Sequence, residues 1–166
     1  MKKFYIPASQ NSKPENGDVI CVNRGLYLHY GVYVSENNHV IHYTGETGPN
    51  DFNGVVRETS LNEFLNGAEN FNICKFPERP ILNNIFCSNK SHGIFKLIRA
   101  FQIFNLINYK LYSGAETVAR AKSRLGENKY NLALNNCEHF AIWCKTGVRD
   151  SSQVDNILNL ISNIFK

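Results

Sequence analysis

Three short apolar runs stand close together in the first quarter of the chain, each bounded by polar or turn-forming residues. Val19-Ile20-Cys21-Val22 follows the turn signal Gly17-Asp18, and within 29–34 Val32 and Val34 alternate with Tyr33, the period-two pattern of a strand. A third run, 40–43, comes after the polar turn 35–38, so the second and third runs predict a β-hairpin able to bring His29 and His42 onto one face. The stretch 45–54, rich in Gly, Asn, Asp and Pro, predicts a loop, while 54–59 and 72–76 predict two further strands. Ser60-Leu61-Asn62-Glu63 and Ser113-Gly114-Ala115-Glu116 are capping-box patterns. The first predicts a short helix ending near Gly67, the second a helix that stops at Gly126. Further on, Cys137, Phe140, Ala141 and Cys144 fall at helical spacing on one face, with Asn135 or Asn136 placed to cap the helix start. Strands and helices in this order predict an α+β domain.

Outside those elements the pattern changes. Residues 1–16 are polar and unpatterned and predict a loose arm or edge segment, followed by a core domain over 17–147. Within the core domain, about 79–112 forms a basic, apolar insertion: 79–115 contains no Asp or Glu but holds Arg79, Lys90, Lys96, Arg99 and Lys110, enough to account for the net charge of +4. Ile94, Leu97, Ile98, Phe101 and Phe104 share a helical face there, with Lys96, Arg99 and Gln102 elsewhere on the helix. Such a helix suits a membrane interface, and it equally suits a cover over the core or a dimer surface. Val154, Ile157, Leu158, Ile161 and Phe165 give 148–166 the spacing of a C-terminal amphipathic helix docked on the domain.

Length and composition narrow the classes. A chain of 166 residues is enough for one domain with a real core. Five cysteines at irregular spacing argue for a reducing compartment, and without a Cys-x-x-Cys pair a zinc site is not expected. The start, Met1-Lys2-Lys3, has no apolar stretch after it to make a signal peptide, and no apolar run approaches the roughly 18 to 20 residues that span a bilayer. The expectation is a cytoplasmic protein with at most peripheral membrane attachment. Positive charge set among bulky aliphatics, with no recognition module or Gly-rich phosphate cradle, argues against nucleic acid as a partner.

The candidate chemistry centres on Cys137. In the first turn of an inward-packed helix, the macrodipole and unpaired backbone N–H groups lower a thiol pKa and can hold an oxyanion. Cys21, Cys74, Cys87 and Cys144 lie among apolar neighbours and read as small core residues. A nucleophile, a base and a group that orients the base make a triad, and His29 and His42 on one hairpin can supply the last two. His39 has the opposite strand parity and reads as a solvent-facing turn residue. Glu138 and His139 read as structural companions of the thiol.

Gly17-Asp18-Val19-Ile20, Arg24, His29 with Val32-Tyr33-Val34, His42 and Asn136-Cys137-Glu138-His139-Phe140 together resemble the lecithin:retinol acyltransferase family, also called the NC-domain family. The resemblance covers roughly 17–147. It implies a permuted papain-like (NlpC/P60-type) fold, an antiparallel sheet packed against helices with the nucleophile at a helix N-terminus. It also implies Cys137 as acyl-accepting nucleophile, His29 as general base, His42 as the imidazole that orients it, and Arg24 on the substrate side. The implied activity is thiol-dependent acyl transfer on lipid esters, as phospholipase A1/A2, phospholipid acyltransferase or both, with no cofactor; a lipid substrate would give the amphipathic pattern of 94–104 a use as a phospholipid-surface contact. Two alternatives stand beside it: an isopeptidase or amidase using the same triad, and a silent membrane-binding or interaction module.

Overall fold

A computed structural model describes residues 5–7, 13–45, 54–76, 108–131 and 135–149. Among these residues six strands and three helices follow in order: β1 (Tyr5–Pro7), β2 (Val19–Asn23), β3 (Leu28–Val34), β4 (His39–Thr44), β5 (Val55–Ser60), α1 (Leu61–Leu65), β6 (Asn72–Cys74), α2 (Gly114–Lys122) and α3 (Cys137–Thr146). The strands form one antiparallel sheet in the order β1-β6-β2-β3-β4-β5, an α+β architecture as expected. The register pairs His29 with Val22 and Val32 with Ile41.

Both sheet faces are covered. On one, Val19, Cys21, Tyr30, Val32, Ile41 and Tyr43 pack against Val118 and Ala121 of α2 and against Cys137, Phe140, Ala141 and Cys144 of α3. On the other, Ile20, Val22, Tyr33, Val40 and Ile73 pack against Phe64 of α1. Burial of so many aliphatic and aromatic side chains, each worth roughly 1.5 to 3 kcal/mol, is what holds the layers together. Gly31 makes the second face possible: a Cβ there would stand 2.4 Å from Val40 Cγ1 and 3.0 Å from Phe64. Any larger residue would force the Val40 side chain, and Phe64 with it, to move.

The capping predictions are met in detail. Ser60 and Glu63 close a reciprocal box at α1, and Ser113 and Glu116 close another at α2. Elsewhere boundaries move. α2 ends at Lys122, not Gly126, because the chain leaves the helix in turns and Gly126 donates its N–H to Val56 O of β5. The strand expected over 72–76 ends at Cys74, and of the two alternatives for 1–16, loose arm or edge segment, the second is met by the edge strand β1. The loop 46–53, most of the insertion with Cys87 and the 94–104 helix, and 150–166 of the C-terminal helix lie outside the described residues. Among the described residues no helix is long and apolar enough to cross a membrane.

Candidate active site

Cys137 is the first residue of α3, with Asn136 as the N-cap. Asn136 Oδ1 accepts from the N–H groups of Glu138 at 3.0 Å and His139 at 3.1 Å, so of the three first-turn amides the cap takes two and leaves that of Cys137. The thiol is 5% exposed, with Sγ 4.0 Å from Leu28 O at the start of β3. Burial pushes it up to about 11, outweighing hydrogen bonds from the N–H groups of Tyr30, Glu138 and Cys137 itself that pull the other way. The expected activation by the helix start is thus present but loses to desolvation.

The hairpin does bring both imidazoles onto one face. His29 Nε2 lies 2.9 Å from His42 Nδ1, the rings are at 84°, and both are buried. Phe64 of α1 packs against the pair, stacked on His29 with centroids 5.3 Å apart and edge-on to His42 at 5.1 Å. Tyr43 O, 3.0 Å from His42 Nδ1, can only accept, which favours the His42 tautomer with its proton on Nδ1. His42 Nε2, 2.9 Å from Thr59 Oγ1, then accepts from the threonine hydroxyl. His39 is elsewhere. It opens β4 on the opposite face, 3.2 Å from Glu58 Oε1, so it is a strand residue and not the turn residue expected.

Strand alternation therefore places the histidines on the α1 face and the thiol in the core under α3. They meet at one end of the sheet, where β3 begins and β4 ends. There a cavity of about 170 Å³ is lined by Cys137, His29, His42, Arg24, Tyr27 and Tyr130, among others. Arg24 lines this cavity while spending its guanidinium on α1: one terminal nitrogen donates to Leu65 O at 3.2 Å and the other to Phe64 O. A cation on the last carbonyls of a five-residue helix holds that helix, and with it Phe64, over the two imidazoles. Tyr43 and Asn135 tether the chain ahead of Cys137, since Tyr43 Oη donates to Glu127 Oε1 at 2.6 Å and Asn135 Nδ2 donates to Tyr43 Oη at 2.9 Å.

Sequence reasoning missed Phe64, Thr59, Tyr27 and Glu127. Thr59 could have been found by parity, since it pairs with Val40 and so shares the His42 face. Glu127 and Phe64 carry no local signal for their place.

Burial holds both imidazoles neutral, His29 down to about 3, with His42 and Arg24 adding to the effect, and His42 down to about 4. The unfolded chain protonates these positions from about 6.5 downward, whereas the folded chain does not until about 4. Stability is therefore undiminished above that upper value and falls as the pH drops, by up to about 1.4 kcal/mol per pH unit for each histidine. The urea midpoint should fall steeply through this window, and more gently in a His29→Gln/His42→Gln variant. Equal slopes would mean that the folded protein carries these imidazoles charged.

Comparison with known proteins identifies the family. The family model described as lecithin retinol acyltransferase matches residues 12–150. Lecithin retinol acyltransferase of Mus musculus is 28% identical over 153 residues, covering 90% of this chain and 62% of that protein. The Homo sapiens protein of the same name is 24% identical over 159 residues, covering 95% of this chain and 65% of that protein. The chain thus spans somewhat less than two thirds of the length of these relatives.

Proposed function

Because the chain belongs to the lecithin retinol acyltransferase family, we propose that it is a cysteine-nucleophile acyl-transfer enzyme acting on lipid esters, as phospholipase A1/A2, acyltransferase or both. The observation that carries this reading is the one cavity lined by Cys137, His29 and His42, with the thiol at the start of α3 and the imidazoles 2.9 Å apart. Thiol and imidazole are both neutral at rest. Attack and proton transfer accordingly occur together: Cys137 Sγ bonds to the ester carbonyl carbon as its proton passes to His29.

The negative charge that develops on the carbonyl oxygen is met by Cys137 N–H, the first-turn amide the cap leaves. Collapse breaks the bond to the leaving oxygen, which takes the proton from His29, and an acyl thioester remains. Water then completes hydrolysis, or an alcohol or amine completes transfer. His29 Nε2 faces His42, so the nitrogen that receives the thiol proton is Nδ1. For Nδ1 to be free, the His29 proton must sit on Nε2 and point at His42 Nδ1, which requires the other His42 tautomer, protonated on Nε2 toward Thr59 and without the Nδ1 bond to Tyr43 O. The Thr59 hydroxyl serves both arrangements, donating to His42 in one, and in the other accepting from it while donating to Ser60 O at 3.4 Å.

We read the order of elements, imidazole-bearing sheet first and thiol-bearing helix last, as the permuted papain-like arrangement. Arg24 is assigned a positioning role through α1, beside the substrate-side role its place in the cavity wall allows. Contact with a phospholipid surface through 94–104 remains part of the proposal on the strength of the sequence pattern.

The test is intact mass after incubation with phosphatidylcholine, run beside fluorogenic phospholipid and peptide-amide assays. One acyl mass should appear on the wild-type protein and not on Cys137→Ala, with turnover of the lipid alone. Cleavage of the amide without the lipid would make the protein an amidase and sink the lipid reading.

A further inference from the structure

On the far side of the Tyr43–Glu127–Asn135 tether lies a second cavity, of about 290 Å³, which the acyl-transfer reading does not use. Arg124 and Lys129 from the loop after α2, His139 from α3 and Arg149 from beyond it line the cavity, around Phe140 and Trp143. Its wall holds one carboxylate, Glu127. That carboxylate is already engaged: Oε2 is paired with Arg124, and Oε1 accepts from Tyr43 at 2.6 Å and from Asn135 at 3.2 Å. Among the described residues, neither Lys129 nor Arg149 meets a carboxylate. The positive charge of this concavity is therefore in excess, and a charged recess with low-dielectric walls concentrates the opposite charge.

We propose that this cavity binds a phosphate ester. The Arg149 guanidinium and the Lys129 ammonium, the two charges left once Arg124 is paired with Glu127, match the oxygens and the charge of a phosphate, because Arg presents a planar fork and Lys a point charge. The Trp143 ring is already covered by Arg120 at 4.0 Å and Arg124 at 4.3 Å, which keeps Arg124 beside the cavity. The remaining volume, next to Trp143 and Phe140, accommodates the organic group of the ester. That chemistry is offered by a soluble phosphate ester or by the headgroup of an anionic phospholipid.

Trp143 is the chain's single tryptophan, so its emission reports on the cavity directly. The emission is titrated at matched ionic strength with glycerol 1-phosphate, with phosphatidylglycerol vesicles and with phosphatidylcholine vesicles. Equilibrium dialysis of the soluble ester and co-sedimentation of the vesicles give a second readout of binding. Saturable binding of glycerol 1-phosphate marks a soluble ligand, whereas saturation with phosphatidylglycerol vesicles alone marks a lipid headgroup. In either case Lys129→Gln and Arg149→Gln, both at exposed positions, should each weaken binding by roughly tenfold. Cys137→Ser should bind as the wild type does, so that failure of this site and failure of the acyl-transfer reading are seen separately. The proposal is overturned if neither readout detects binding of either phosphate probe, if phosphatidylcholine vesicles bind as well as phosphatidylglycerol, or if both charge variants bind like the wild type.

Discussion

Cys137→Ala and Cys137→Ser proteins are expected to fold and to lose phospholipid turnover by at least about three orders of magnitude. The loss follows from the chemistry, since no other group in the cavity can form the acyl thioester. The fold should survive because α3 does not depend on that sulfur. Its start is held by the Asn136 cap, and its inner face by Phe140, Ala141 and Cys144. Removing one buried sulfur costs on the order of 1 kcal/mol, well inside the stability of a domain of this size. Circular dichroism and a urea midpoint check the fold, and initial rates on a phosphatidylcholine substrate check the chemistry. Near-normal hydrolysis by either variant would move the nucleophile elsewhere.

His29 should be nearly as costly to lose, with His42 and Thr59 graded below it. His29→Gln removes the base while filling most of the space against Phe64, and because base and nucleophile act as a unit it should approach the Cys137 variants in severity. His42→Gln keeps a group able to hydrogen-bond His29 and should retain activity reduced by about ten- to a hundredfold. Thr59→Val keeps the shape of the side chain and removes the hydroxyl that lets His42 hold its proton on either nitrogen. Its effect should be roughly tenfold, confined to kcat, with KM unchanged. A merely structural Thr59 would instead lower the urea midpoint and leave kcat alone. Equal, mild effects at His29 and His42 would undo the division of roles between them.

Much of this architecture was legible in the residues because local chemistry determined it. The alternation in β3 and β4 and the two capping boxes depend on neighbours a few positions away, and the structure has them nearly where the pattern does. Asn136 caps α3 because an Asn side chain reaches the amides two and three residues on. Features set by tertiary contact were not legible. The strand character of β1 rests on backbone pairing, which needs no side-chain pattern, so the sequence left an edge segment and a loose arm equally open, and α2 stops early because Gly126 finds a partner in β5. The side of the sheet on which α3 packs was hidden because β3 is buried on both faces, so alternation separates the faces without saying which helix covers which. The thiol was misjudged for a similar reason: a helix start is visible in sequence, but the depth at which it lies is not. The insertion and the C-terminal helix rest on amphipathic spacing alone.

The depth of Cys137 has a further bearing on the life of the protein in an oxidising episode. Peroxides react with thiolate, and a thiol held at about 11 instead of the ordinary 9 presents roughly a hundredfold less of it at neutral pH. At rest the sulfur is thus sheltered from conversion to sulfenic and sulfinic acid by the same burial that keeps it protonated. A nucleophile activated permanently by its helix would be exposed to oxidants throughout its life; under the mechanism proposed above, in which Cys137 is activated only as His29 takes its proton, it is exposed only while a substrate is being consumed.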